Sequence, residues 1–198
     1  MVTGRPMGEV PGTRPGHPDP ERVRRLAAQA SSEPSAFGEL YDIYVDRVHA
    51  FAYRMLGSRA DAEDITAEAF TRALANLGTF SWQRGGFGAW LMRIARNLCY
   101  DLLRRKARAT GPLPESDLPD LIGPGPEQAV ITGESLQRLR REVDALPDSQ
   151  REAVLLKYAA GLSNREISEV TGRSPTAVSS LLNRVTAKLR ERLAEDDE

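Results

Sequence analysis

Apolar residues along this chain recur mainly at intervals of three and four, the period of a helix packed on one side. The clearest stripe is C-terminal. Val178, Leu182, Val185 and Leu189 share one face, widened by Leu181 and Leu193, while Thr176, Ser179, Ser180, Asn183, Arg184 and Lys188 take the opposite face. Ser174 stands at the N-cap and Pro175 in the first turn, where no amide hydrogen is missed. Just upstream, Ser163 and Glu166 have capping-box spacing and open a short helix carrying Ile167 and Val170 inward. Gly172 stops that helix, because the residue past a helix end often needs positive φ. Asp148 starts a support helix in front. A short helix, a tight turn and a longer helix with a polar outer face form a helix-turn-helix suited to the major groove. Any small helical hairpin shares the same caps and stripes, so this stretch alone leaves both readings open.

Upstream, Phe37, Leu40, Tyr41, Tyr44, Val48, Phe51, Ala52, Met55 and Leu56 mark a long amphipathic helix ended by Gly57. Its aromatic residues read as core. A second helix follows from about Arg59 to Leu77, with Ala62, Ile65, Ala69, Ala73 and Leu77 inward. That turns Asp64, Glu68 and Thr71 onto one outward strip and leaves Asp61 and Glu63 near the helix start, where acids favour the dipole. The strip reads equally as a solvated acidic helix start or as a docking face. Residues 78–88, GTFSWQRGGFG, form a loop dense in rings and glycine. The helix from Ala89 to Arg108 buries Leu91, Ile94, Ala95, Leu98 and Leu102, leaving Trp90, Arg93, Arg96, Asn97, Arg104 and Arg105 for other faces. Exposed Phe80, Trp82 and Arg84 leading into a cationic helix are what a single-stranded nucleic acid needs, rings to stack on and guanidinium groups for the backbone. Phe80, Trp82 and Phe87 are alternatively core plugs, and at least one is expected to be.

Residues 1–20 hold five prolines and several glycines and cannot bury a core, so they read as a disordered tail. A short helix using Val23, Leu26 and Ala27 starts near Pro20. Residues 109–133 carry five prolines and four acids (Glu115, Asp117, Asp120 and Glu127) and read as a linker. Glu134 opens the next helix, broken near Pro147. The expected fold is all-α: two small helical domains, 21–108 and 134–198, joined by a flexible acidic linker.

Composition narrows the chemistry. The net charge is only −1, yet basic residues crowd into 93–108 and 184–192 while acids crowd into 61–68, the linker and the C-terminal tip. Such sorting fits one basic and one acidic partner surface. One cysteine, Cys99, precludes an internal disulfide, and with His17 and His49 far apart there is no zinc ligand set. No cofactor and no metal are expected. A phosphate loop and a nucleophile motif are lacking, which argues against an enzyme. No apolar run approaches about 18 residues and the N-terminus lacks an apolar signal core, so the expectation is a cytoplasmic protein without membrane insertion.

These segments together resemble one family, the extracytoplasmic-function (ECF) sigma factors of the sigma-70 family. FGELYDIYVDRVHAFAYRMLGSRADAEDITAEAFTRALANLGTF is similar to the start of sigma domain 2. WLMRIARNLCYDLLRRKAR resembles its promoter-melting helix, and LPDSQREAVLLKYAAGLSNREISEVTG with AVSSLLNRVTAKLRERL resembles sigma domain 4. The resemblance implies a sigma factor that directs core RNA polymerase to promoters and begins strand opening. Asp61, Glu63, Asp64, Glu68 and Thr71 are then expected at the β′ clamp coiled coil, with the β subunit as a further contact. Phe80, Trp82, Arg84, Trp90, Arg93, Asn97, Arg104 and Arg105 are expected at the −10 element, holding an extruded non-template base. Thr176, Ser179, Ser180, Asn183, Arg184 and Lys188 are expected at the −35 element. The family also implies promoter DNA and an anti-sigma factor as partners.

The chain departs from the family pattern in places. Ser179 and Leu181 stand where many members carry a basic residue, which flattens the expected salt dependence of −35 binding, about −0.9 in log–log slope per phosphate. Ala67 replaces a frequent glutamine in the docking helix. The rival reading is a helix-turn-helix regulator that never engages polymerase; it would need neither the acidic strip nor the aromatic loop.

Overall fold

A computed structural model describes residues 18–82, 85–110 and 133–195, and every regular element among them is helical. Helix α1 (Pro20–Gln29) begins where Asp19 accepts a hydrogen bond from the Glu21 amide at 3.0 Å. Helix α2 (Pro34–Leu56) ends at Gly57, whose φ of 67° is the left-handed cap the sequence called for. Ser58 caps α3 (Arg59–Ala75), and a 3-10 turn at Leu77–Thr79 follows. Helix α4 (Gly86–Thr110) starts three residues before its expected first residue, Ala89.

The C-terminal half comprises α5 (Gly133–Asp144), α6 (Asp148–Tyr158), α7 (Asn164–Thr171) and α8 (Pro175–Glu195). The capping box of α7 is formed both ways: Ser163 Oγ accepts from the Glu166 amide at 3.2 Å, and Glu166 Oε2 accepts from the Ser163 amide at 2.7 Å. Gly172, with φ of 72°, ends α7, and Ser174 Oγ accepts from the Ala177 amide at the start of α8. The helix-turn-helix is therefore built by the residues that announced it.

Leu40, Val48, Phe51, Phe87 and Leu91 are fully buried where α1 to α4 meet, as are Leu156, Ile167 and Val178 among α6 to α8. Tyr41 departs from expectation: it is 42 % exposed, with its ring centroid 4.6 Å from that of Phe70. Leu40 and Tyr44, one turn apart, already fill the inward side, so the residue beside them falls on the rim.

The two halves do not stand apart. Helix α4 packs across α7, α2 reaches α6, and the buried residues of both halves join in one continuous apolar cluster. Nothing in the apolar periodicity predicts this seam, since each half has a stripe for its own core. Phe51→Ala should lower the unfolding free energy by about 3–5 kcal/mol in a urea titration, because a ring is removed from a closed core. Tyr41→Ala, on the rim, should cost under about 1 kcal/mol in the same measurement.

Candidate nucleic-acid interface

On α3, Glu63, Asp64, Glu68 and Thr71 are exposed together on one side of the helix. Glu63 pairs with Arg59 at 2.8 Å and Glu68 with Arg72 at 2.7 Å, both one turn apart. Thr71 Oγ1 donates to the Ala67 carbonyl at 2.8 Å. Asp61 turns elsewhere. Its carboxylate accepts from Lys106 Nζ of α4 at 2.5 Å and so ties the acidic helix to the basic one. Burial pushes the Asp61 carboxyl up, but hydrogen bonds from Lys106 and Ser58, with the lysine charge, outweigh it and hold the group below the usual carboxylate range.

The aromatic residues between α3 and α4 form a graded stack. Phe87 is fully buried and anchors it. Phe80 lies above, with ring centroids 5.8 Å from Phe87 and 4.9 Å from Trp90. Trp82 is outermost, 6.2 Å from Phe80 edge to face and 39 % exposed. Thus one ring plugs the core and the others lead outward. Gly86, at φ of 66°, lets the backbone pass under the Trp82 ring, and a methyl at Gly88 would meet Tyr44 at 2.9 Å. Arg84 lies outside the described residues.

Arg93, Asn97, Arg104 and Arg105 of α4 are exposed. Arg104 pairs with Asp101, and Arg105 Nε donates to the Asp101 carbonyl at 3.3 Å. A cleft of about 200 Å³ opens among Phe80, Ser81, Trp90 and Arg93, with Glu169 of α7 also in its lining. It combines rings, a guanidinium and hydroxyls, groups that receive an unstacked base and its phosphate. Among the described residues expected at the −10 element, Phe80, Trp90 and Arg93 come together here. Asn97 and Arg104 line a second cleft further along α4, of about 600 Å³.

On α8, Thr176, Ser180, Asn183, Arg184 and Lys188 are exposed, and Arg184 Nε donates to the Ser180 carbonyl at 3.4 Å. Ser179 is set apart from them: its hydroxyl accepts from Asn164 Nδ2 at 2.8 Å and joins α8 to α7. Leu181 is buried, on the core side of the stripe.

Sequence reasoning missed a further pair. Arg96 of α4 meets Glu152 of α6 through both carboxylate oxygens, and Glu152 is only 4 % exposed. The Arg96 guanidinium also sits 4.9 Å from the Tyr100 ring centroid. Burial would lower the Arg96 pKa, but the Glu152 carboxylate outweighs it and raises the pKa above its ordinary value. One signal was available. In EAVLL, Glu152 lies three and four residues before buried Leu155 and Leu156, so a charge occupies an inward position that needs a partner.

An acidic strip, an aromatic–arginine cleft and a helix-turn-helix on one helical chain are the makings of a transcription-initiation protein. Comparison with known proteins places it. Residues 40–109 match the model for Sigma-70 region 2, and residues 136–189 match Sigma-70, region 4. The chain is 37 % identical to the ECF RNA polymerase sigma factor BldN of Streptomyces coelicolor, over 90 % of this chain and 68 % of that one. It is 34 % identical to SigW, an ECF RNA polymerase sigma factor of Bacillus subtilis, over 86 % of this chain and 95 % of that one. Its fold is similar to CnrH in complex with the cytosolic domain of CnrY, with a TM-score of 0.66, 29 % identity and coverage of 88 % and 99 %. The chain belongs to the ECF sigma factors of the sigma-70 family. A regulator that does not engage polymerase is not favoured.

The Asp61–Lys106 pair supplies a pH test. A lowered folded pKa contributes stability that is present at neutral pH and lost as pH falls through that folded value. Lys106→Met should therefore move the Asp61 carboxyl titration, followed by carbon NMR, up toward the ordinary carboxylate range. An unmoved titration would show that the lysine does not set it.

Proposed function

We propose that this ECF sigma factor brings core RNA polymerase to its promoters through three separate faces and begins strand opening itself. The exposed strip Glu63, Asp64, Glu68 and Thr71 docks on the β′ clamp coiled coil, with the β subunit as a further contact. Phe80, Trp82, Trp90 and Arg93, continued by Asn97, Arg104 and Arg105, receive the −10 strand. Thr176, Ser180, Asn183, Arg184 and Lys188 read the −35 duplex, and Ser179 supports that helix by holding it to α7. The carrying observation is the cleft of Phe80, Trp90 and Arg93 at the head of a cationic helix. A protein that only reads duplex DNA has no need of stacking rings beside a guanidinium.

Physically, two weak contacts become one strong one when tethered and held on a common platform. The tether, residues 111–132, reaches at most about 75 Å if extended. Two elements centred roughly 25 base pairs apart are separated by about 85 Å of helix axis, at 3.4 Å per base pair. The span is met once the domains add their own lengths, so promoter binding requires the halves to part. Melting costs unpairing and unstacking, which stacking of an extruded base against the aromatic cleft offsets.

The protein acts as a subunit and not as a catalyst. Its place of action is the cytoplasm, where polymerase works, and no helix among the described residues is long and apolar enough to cross a membrane. An anti-sigma factor is a further expected partner; CnrH, similar over most of this chain, was solved with the cytosolic domain of CnrY.

Run-off transcription from a randomised promoter library, with core polymerase and this chain alone, should yield promoter-dependent transcripts. Their absence would overturn the reading. Asp64→Arg should weaken co-migration with core polymerase on gel filtration while leaving binding to duplex promoter DNA unchanged. Arg184→Ala should cost about 1–3 kcal/mol of −35 recognition, and equal promoter use by variant and parent would remove that assignment.

A further inference from the structure

We propose that Asn164 sets what Ser179 can read in DNA, holding the hydroxyl so that it donates a hydrogen bond to an acceptor on a base edge of the −35 element. The inference rests on the reading of α8 as the −35 reader. It goes beyond it by giving one contact a polarity and by assigning a positioning role to a residue outside the reading helix.

Three half-buried side chains from three helices form a relay. Lys157 Nζ of α6 donates to Asn164 Oδ1 at 3.0 Å, and Asn164 Nδ2, on the first residue of α7, donates to Ser179 Oγ of α8 at 2.8 Å. Chemistry fixes the direction. An ammonium group has donors and no acceptor, so the amide must turn its oxygen to Lys157 and its NH2 to Ser179. The Ser179 oxygen is thereby committed as an acceptor, and its hydrogen is left to give. Other hydroxyls on these helices place that hydrogen on the carbonyl four residues back, as Thr171 does on Ile167 and Thr186 on Leu182, each at 2.7 Å. Ser179 makes no such bond among the described residues. Accepting from an amide also polarises the O–H bond and strengthens it as a donor.

The position suits a base contact. Ser179 lies three residues after Thr176 and four before Asn183, both exposed, so it stands in the row that faces the groove. In the major groove guanine offers N7 and O6, and thymine O4, as acceptors, whereas cytosine offers only the donor of its amino group. A second lone pair remains on Ser179, but pairing it with a base donor would strand the hydrogen without an acceptor at a desolvated contact. Ser179 therefore favours guanine or thymine over cytosine at the base it meets. Asn164 acts through Ser179 and is a positioning residue.

The test uses holoenzyme assembled from core polymerase and the full chain, selecting from promoters randomised across the −35 element, with the bound fraction sequenced. The parent should favour guanine or thymine over cytosine about fivefold at one position, and Ser179→Ala should level that position alone. Asn164→Asp leaves only acceptors facing Ser179, whose hydroxyl must then donate to the carboxylate and turn a lone pair to the groove. Preference at that position should invert toward cytosine or adenine, whose amino groups donate. Thermal melting should not change, because an acid in the first turn of α7 suits the helix dipole. A merely structural role for Asn164 would lower affinity uniformly and keep the parent's preferences. That result, or parental preferences in Ser179→Ala, would overturn the proposal and leave α8 standing as the −35 reader. A parent that selects no −35 sequence would bring down both.

Discussion

A carboxylate taken out of water must find a cation, and in this chain the cation for Glu152 lies on the other domain. Arg96 meets it with two nitrogens, and Tyr100 covers the guanidinium from the side. Such a pair adds little net stability over an apolar contact of the same shape, but breaking it by removing one member leaves an uncompensated charge. It therefore acts as a registration device: it favours one particular docking of α4 on α6 and α7 over the many that an apolar seam would permit. The rest of the closed arrangement, from Glu169 over the aromatic cleft to the continuity of the apolar cluster, is consistent with that register.

Around this seam the faces are sorted by what each must leave open. Helix α3 buries alanines and Ile65, which lets it lie close to its neighbours and turns its longer acids outward. The aromatic stack works by gradation. Phe87 is sealed in the core, Phe80 leans on it, and Trp82 is half free, so the outer rings are braced by a buried one. Gly86 and Gly88 are the positions where backbone must run close to Trp82 and Tyr44, which makes their lack of a side chain part of the cleft. Helix α8 divides along its length, Leu181 and Leu182 to the core and Ser180, Asn183 and Arg184 to solvent.

A sigma factor must be closed enough to wait and open enough to span two promoter elements. The Arg96–Glu152 pair at the seam suits that demand, because polymerase and DNA offer competing charges of the same kind.

Much was legible in the order of residues. Caps at Ser163, Ser174, Gly57 and Gly172, and stripes such as Val178–Leu182–Val185–Leu189, defined where helices begin, end and face, because these depend on groups within a few residues of one another. The sorting of acids, rings and arginines into separate segments pointed to separate partner surfaces for the same reason, and the family was legible in the resemblance of whole segments. Tertiary structure alone decided that Asp61 serves Lys106, that Ser179 is held by Asn164, that Tyr41 lies on a rim, and that Glu152 reaches Arg96. Each of those outcomes joins positions distant in sequence or turns on which neighbour fills a space first. Local periodicity carries information about one helix at a time; the pairing of charges between helices emerges only when the chain has closed.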